Sequence, residues 1–398
     1  MLRLLLLLPL VTAVEVRVNT TTASTGSWVR VDFAAALQSA GLDRASLDDG
    51  ALFPVPAMKT EWVQEAGKIA SLAYGDHVES GCRVVPSPDT TSYWLGQFSP
   101  AITNRSAVRM GSKSLEVGTP PYTTPAPAKF ISGTQLGRGS YDFKLTNMRD
   151  TTNWVLFAGS LTSAAGFEVV AMSPVVRFLD ADTPTQLRLA RTSSVDEMRV
   201  SWTTSPAAAA AGGMAVQWGS SAAALNRSRV AATSSTYTAS DLCGGQANSS
   251  GFHHPGVFQT AVLPLGGDPV AERRAGKQIY YKVGSDAFGW SSVRSFRAPK
   301  PVNPHASLSI IVTADMGETF EDGSQYHWEE PAAVNTTVHM AALVKAEHGV
   351  DVILHPGDLA YSTGYESEWD RFMTQIEPLS SAAPYMTGVG VVKGGGAG

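Results

Sequence analysis

Two aspartates follow apolar runs in the last quarter of this sequence, each with a glycine close by: Asp315 in Ala314-Asp315-Met316-Gly317 and Asp358 in His355-Pro356-Gly357-Asp358-Leu359-Ala360-Tyr361. Carboxylates at successive strand ends, with a phenol close behind the second, form a hard, oxygen-rich donor set suited to a highly charged or first-row metal ion. A carboxylate can also bridge two ions, and two metals about 3.5–4 Å apart clamp a phosphate ester for in-line attack. Gly317 and Gly357 let the backbone turn sharply beside each acid. Tyr361 is expected about one helical turn beyond Asp358, its oxygen aimed at the same spot. Either carboxylate alone reads as a loop or helix cap; the pair with a phenol in register points to metal.

For the two acids to meet, the surrounding segments must form a parallel sheet. Leu308-Ser309-Ile310-Ile311-Val312 is a nearly continuous apolar run, the pattern of a strand buried on both faces. A helix is expected from about Ala332 to Glu347 with Met340, Leu343 and Val344 on one side, then a second buried strand at Val350-Asp351-Val352-Ile353-Leu354. Strand, helix, strand is a βαβ unit, the opening of a parallel α/β sheet, and ligands bind outside the carboxyl ends of such strands. A last helix, about Glu366 to Ile376, would bury Trp369, Phe372, Met373 and Ile376 at helical spacing. One edge of this small sheet is expected to have no partner strand.

Upstream the pattern is β throughout. From Val14 to about Asp182, Val29 and Val31 alternate around Arg30, Tyr93-Trp94-Leu95-Gly96 leads into Phe98-Ser99-Pro100, and Trp154-Val155-Leu156-Phe157 is a compact apolar run. Gly, Pro and Ser turns between them indicate a β-sandwich with irregular insertions, Thr119 to Pro127 being an extended surface loop. From about Thr183 to Pro299, Leu187 and Leu189 alternate, and Met198-Arg199-Val200-Ser201-Trp202 places three large side chains on one face. With Ala215-Val216-Gln217-Trp218 and Ile279-Tyr280-Tyr281-Lys282-Val283-Gly284 as further strands, the stretch suits a seven-stranded sandwich and resembles a fibronectin type III module. Ala207 to Ala211 with Gly212-Gly213 reads as a hairpin insertion, and the proline-rich Arg297 to Pro304 as a linker. The expected organisation is a leader at 1–13, an N-terminal β-sandwich at 14–182, a fibronectin type III-like domain at 183–299 and a partial α/β domain at 300–398.

Composition narrows the function classes. A net charge of −5 offers no basic surface for a nucleic-acid backbone. At 43% hydrophobic and 16% charged, the 398-residue chain is too apolar for disorder and too polar for multiple membrane spans. Met1-Leu2-Arg3 followed by Leu4 to Leu8, Pro9, Leu10, Val11 and the small Thr12-Ala13 reads as a secretory signal peptide cut after Ala13, about half the length needed to cross a bilayer. Sequons at Asn19, Asn104, Asn226, Asn248 and Asn335 fit a secreted or secretory-pathway glycoprotein. Two cysteines cannot build a disulfide framework or a Cys-based zinc site; pairing of Cys82 with Cys243 is left open.

The two aspartate segments resemble the first two metal motifs of the purple acid phosphatases, in the large plant-type branch of the metallophosphoesterase superfamily. The resemblance continues through Tyr365, Trp369-Asp370, Phe372, Gln375-Ile376-Glu377-Pro378 and Pro384-Tyr385-Met386. Upstream it takes in Asp322-Gly323-Ser324, Asn335-Thr336-Thr337, Leu242-Cys243-Gly244 with His254-Pro255-Gly256, and Trp94-Leu95-Gly96-Gln97-Phe98-Ser99-Pro100. It implies that 300–398 is the start of an α/β metallophosphoesterase domain. It also implies that Asp315 binds Fe(III), that Asp358 bridges to a divalent Zn, Mn or Fe, and that Tyr361 binds iron as a coloured phenolate. The implied activity is acid hydrolysis of phosphate monoesters or of nucleotide pyrophosphates and phosphodiesters. The implied partner is a small phosphate-ester substrate, with a homodimer open, and the implied location extracellular, cell wall or vacuole.

Ala314 stands where the family's first motif usually has glycine, a change to the turn and not to the ligand atom. After Gly390 the family continues Asn-His-Glu, whereas this sequence reads Val391-Val392-Lys393-Gly394-Gly395-Gly396-Ala397-Gly398. His305, His327, His339, His348 and His355 are expected in linker, loop, helix-surface and strand-end positions and not as replacements for the family's histidine ligands. The chain as written is therefore expected to be incomplete as a phosphatase and inactive. The competing expectation is a secreted β-sandwich binding or decoy protein without catalysis.

Overall fold

The computed structural model describes residues 15–34, 92–98, 128–131, 138–149, 151–159, 167–243, 247–248, 252–266, 276–300, 305, 307–319, 321–322, 330, 332–346, 349–362, 364 and 366–388. The expected leader, Cys82, Asn104, the proline-rich loop, Tyr365, His327, His348 and the glycine-rich tail lie outside the described residues. The chain divides into two compact units, one from 1–145, 150–179 and 321–327, the other from 146–149, 180–320 and 328–398.

The first unit is all β among its described residues. Strands β1 (Glu15–Val18), β2 (Thr22–Ala23), β3 (Trp28–Ala34), β4 (Ser92–Phe98), β5 (Ala128–Ile131), β6 (Arg138–Lys144), β7 (Asn153–Gly159), β8 (Phe167–Met172) and β9 (Arg177–Phe178) form sheets ordered β1-β3-β6, β5-β4-β7-β8 and β2-β9. Val29 and Val31 are fully buried on one face of β3, while Arg30 faces out and forks onto Asp142 of β6 at 2.9 and 3.0 Å. This is the alternation that a half-buried strand imposes. Phe143 of β6 and Trp154 of β7 meet with ring centroids 5.7 Å apart, joining the three-stranded to the four-stranded sheet.

The second unit opens with another sandwich. Its strands are β10 (Thr185–Ala190), β11 (Glu197–Thr204), β12 (Ala215–Gly219), β13 (Ser228–Ala231), β14 (Thr233–Ser235), β15 (Val257–Pro264), β16 (Gln278–Ser285), β17 (Gly289–Trp290) and β18 (Arg294–Arg297). One sheet runs β10-β11-β15-β14 and the other β13-β12-β16-β17, with β18 also on β16. Met198, Val200 and Trp202 are all fully buried between the sheets, against Tyr281, Val283 and Phe296. Ser201 and Thr203, on the opposite face of β11, are also buried. The alanine-rich segment expected as a loop is instead a short helix, α1 (Pro206–Ala210). Ser205 caps it by accepting from the Ala208 N–H at 3.1 Å, Pro206 starts it, and alanine is the strongest helix former.

The parallel segment follows as β19 (Ile310–Val312), α2 (Ala333–Lys345), β20 (Val352–His355), α3 (Glu366–Ser380) and β21 (Tyr385–Thr387), the sheet ordered β19-β20-β21. Strand pairing is parallel throughout, with Ile310 opposite Val352 and Ile353 opposite Tyr385. The apolar core gathers Met340 and Val344 of α2, Ile353 of β20, and Phe372, Ile376 and Leu379 of α3. Trp369 and Met373 pack against it half-buried.

Three expectations are corrected. Burial of β19 on both faces fails, since Ile310 is 47% and Val312 66% exposed. That strand is a sheet edge, and one of its faces has no cover among the described residues. Leu343 is exposed because the buried stripe of α2 runs through Ala333, Thr337, Met340 and Val344, and Leu343 falls outside it. Helix α3 continues past Ile376 to Ser380, where Leu379 is buried and Ser380 Oγ donates to the Leu187 carbonyl at 2.8 Å. Among the described residues no helix is long and apolar enough to cross a membrane.

Candidate metal centre

Asp315 and Asp358 each lie just beyond the carboxyl end of a parallel strand, β19 and β20. The Gly317 N–H donates to the Leu359 carbonyl at 2.9 Å, so the two loops are stitched together directly. Helix α3 braces the first loop from behind: Gln375 donates to the Gly317 carbonyl at 3.2 Å and accepts from the Thr319 N–H at 3.3 Å.

Among the described residues five non-glycine residues take a left-handed backbone, and three of them are Asp315, Asp358 and Tyr361, each at φ 51°. Such conformations cost on the order of 1 kcal/mol each and persist where surrounding contacts over-determine them. Tyr361 therefore does not follow Asp358 by a helical turn, as its spacing suggested; two left-handed residues in the loop swing it back instead. Gly317 is left-handed too, at φ 58°, and a Cβ there would sit 2.3 Å from Glu330 Cγ and 3.3 Å from the Tyr361 ring.

The result is a direct contact: the Tyr361 hydroxyl donates to Asp315 Oδ1 at 2.6 Å, with Asp315 exposed and Tyr361 half-buried. Burial raises the phenol's pKa above its ordinary value, reinforced by the Asp315 bond and by the charges of Asp315, Asp358 and Glu330. Asp358 makes its presence felt through that charge, which acts on Tyr361 and on His355. His355 is fully buried at the end of β20, where Nδ1 lies 2.6 Å from the Tyr385 hydroxyl. Burial lowers its pKa, against the opposing pull of the Asp358 backbone and of both aspartate charges.

Two residues of this site carried no distinct sequence signal. Glu330 adds a third negative charge near the phenol, and no spacing rule linked it to either aspartate. Gln375 lay within the Gln375-Ile376-Glu377-Pro378 stretch but had no assigned role. Asn19, Asn248 and Asn335 are exposed, and Cys243 is a free, exposed thiol. Asn226 lies in a 3-10 turn.

The donor chemistry fits one hard metal ion, because a phenol already sharing its proton with a carboxylate presents two oxygens where a cation would take the proton's place. It does not by itself make up a two-ion centre. Among the described residues no group of three or more His, Cys, Asp or Glu side chains is placed to hold a metal.

Comparison with known proteins gives concordant matches. The probable inactive purple acid phosphatase 1 of Arabidopsis thaliana is 32% identical over 317 residues, 77% of this chain and 48% of that protein. A nucleotide pyrophosphatase/phosphodiesterase of Hordeum vulgare is 36% identical over 102 residues, 25% of this chain and 27% of that protein. Among solved structures, a purple acid phosphatase from yellow lupin (Lupinus luteus) seeds shares the fold, with a TM-score of 0.70 and 24% identity over 95% of this chain and 57% of that one. The chain thus spans about half the length of the curated relatives it matches. No family model matches it.

Proposed function

Because this chain is related to the purple acid phosphatases over most of its length, we propose that it carries part of a phosphoesterase metal centre. In this reading Asp315, Asp358 and Tyr361 would hold an iron ion, and Asp358 would also serve a second divalent ion, zinc, manganese or iron. The observation that carries it is the 2.6 Å contact between Tyr361 and Asp315 at the strand ends where Asp358 also acts on the phenol. Bound there, iron would supply a Lewis acid that draws charge from a phosphoryl oxygen.

The chain's own residues set the terms for that chemistry. Asp315, Asp358 and Glu330 make the rim anionic around the phenol, so a phosphate dianion is repelled unless a cation is present. Tyr361 holds the phenolic proton and donates it to Asp315, which would be the neighbouring acceptor for that proton if a metal took its place. Tyr361 in the left-handed conformation keeps its oxygen over Asp315 without help from a helix.

The substrate class we assign to the complete centre is a small phosphate monoester or a nucleotide pyrophosphate or phosphodiester, hydrolysed in acid. The route is secretory, to the extracellular space, cell wall or vacuole. The two β-domains would span 14–182 and 183–299, ahead of the α/β segment. For the chain as it stands we favour metal binding without turnover. The Arabidopsis relatives carry the description "probable inactive", and among the described residues no group of three or more His, Cys, Asp or Glu side chains is placed to hold a metal.

Titration with Fe(III) at pH 5 tests the reading. A visible phenolate-to-iron absorption is expected in the native chain, abolished in Tyr361→Phe and weakened in Asp358→Asn, with hydrolysis of an aryl phosphate no faster than background. The absence of absorption, or its survival in Tyr361→Phe, overturns the metal assignment.

A further inference from the structure

Helix α3 starts after the loop that carries Asp358 and Tyr361, and its first turns bury three acids, Glu366 and Asp370 on one face and Glu368 on another. Asp370 is the centre of a polar cluster. Arg149 grips it with two bonds of 2.7 and 2.8 Å, both side chains only 3% exposed. Gln186 Nε2 donates to Oδ1 at 2.7 Å, and His253 Nε2 lies 3.0 Å from Oδ2. Gln186 is itself held, accepting from Thr203 Oγ1 at 2.8 Å and donating its backbone N–H to Glu377 at 2.7 Å. One turn before Asp370, Glu366 Oε2 accepts from the Tyr237 hydroxyl at 2.6 Å.

Backbone strain marks the same place. Among the described residues, the left-handed non-glycine residues outside the candidate centre are Arg149 and Gln186, at φ 66° and 57°, and both bond Asp370. Every left-handed non-glycine residue among those described thus belongs either to the candidate centre or to this cluster. Strained backbone concentrates where geometry is held for a purpose.

We propose that Glu366 and Asp370 are positioning residues that clamp the helix following the Asp358–Tyr361 loop onto the second sandwich, and that the buried first turn of this helix stays closed in acid and opens as the solution turns neutral, when Glu366 would have to carry a charge away from water. What they position rests on the metal reading above; the clamp and its pH response do not.

The charges explain the direction. The groups facing Glu366 are Tyr237, His253 and Arg149 from the sandwich side and Asp370 from its own helix. Burial pushes the Glu366 carboxyl up to about 7, helped by Asp370 and opposed by the Tyr237 bond, His253 and Arg149. Burial, followed by the bond to Glu366, raises the Tyr237 phenol, which therefore stays a donor. Burial alone would also raise Asp370, but Arg149 and His253 outweigh it and hold that carboxyl at about 2. Glu366 therefore contributes its full stabilisation below its ordinary 4.5 and loses it as pH rises through about 7. Asp370 contributes above its ordinary 3.8 and loses its contribution only as pH falls through about 2. Mild acid is the window in which both groups favour closure.

Hydrogen exchange on the intact, metal-free chain tests the clamp at pH 5 and pH 8, corrected for intrinsic rates. Protection of 358–372 is expected to fall at least about tenfold between the two, while protection of 215–231 stays constant as the sandwich control. Glu366→Gln, which keeps an acceptor and cannot ionise, should hold protection through pH 8; Tyr237→Phe should loosen the segment at both values. Equal protection of the native segment at pH 5 and 8, a Glu366→Gln response that tracks the native one, or opening of 215–231 in step each overturns the proposal. Native protein that shows this pH response and no iron absorption refutes the metal centre alone. Iron absorption without the response refutes the clamp alone.

Discussion

Asp370→Ala is expected to destabilise the second unit by about 3–5 kcal/mol, read from urea unfolding at pH 6. The reason is the partner left behind. The Arg149 side chain is 3% exposed and makes its two short bonds to this carboxylate, with only a longer one to the His254 carbonyl, so removing Asp370 leaves a buried cation without its counter-charge. The prediction is sharpened by a double-mutant cycle: Arg149→Met in the Asp370→Ala background should recover part of the loss, because the orphaned charge goes with it. Additive losses would mean that the ion pair is not the source of the effect. Acid adds a second signature. With the Asp370 carboxyl held at about 2, native stability should decline as pH falls from about 4 toward 2, and this part of the decline should be absent in Asp370→Asn.

Trp202→Ala is expected to cost a further, independent 3–5 kcal/mol or so, by emptying the middle of the second sandwich. The indole is fully buried among Met198, Val200, Tyr281 and Phe296, the last two of which pack edge-on at 5.8 Å. Tyr281 also carries the core outward, donating its buried hydroxyl to the Ser381 carbonyl at 2.7 Å beyond α3. Loss of Trp202 should therefore lower protection of α3 as well as of the strands, which exchange measurements would resolve. Trp202→Phe should cost less than half as much, since it leaves most of the ring volume and removes an indole N–H that has no hydrogen-bond partner among the described residues.

Much of the scaffold was legible in advance, and for a local reason. Val29 and Val31, or Met198, Val200 and Trp202, are two residues apart along a strand, and a pleated backbone sends such residues to one face whatever else the chain does. The βαβ order was equally visible in the change from alternating to continuous apolar runs. Where the same logic failed, the missing information was about neighbours. Ile310 and Val312 have the composition of a doubly buried strand, but β19 is an edge, and exposure depends on what lies beside a strand and not on its own residues. The alanine run became α1 because Ser205 and Pro206 supplied a helix start that its low complexity obscured.

The candidate centre divides in the same way. Glycine near each of two acids and a nearby phenol singled out Asp315, Asp358 and Tyr361 as candidates from residue types and strand-end spacing, because parallel strands bring their carboxyl ends to one rim, and the fold brings Tyr361 onto Asp315. How the phenol reaches Asp315 was beyond the sequence: three left-handed residues make that approach, and such conformations are chosen only when loop-to-loop bonds such as Gly317 to Leu359 outweigh their cost. The Asp370 cluster lay further out of reach. Arg149 and Gln186 stand 221 and 184 positions from it in the chain. Pairing of charges over such separations, and the carboxyl shifts that follow from it, exists only once folding has excluded water from between them.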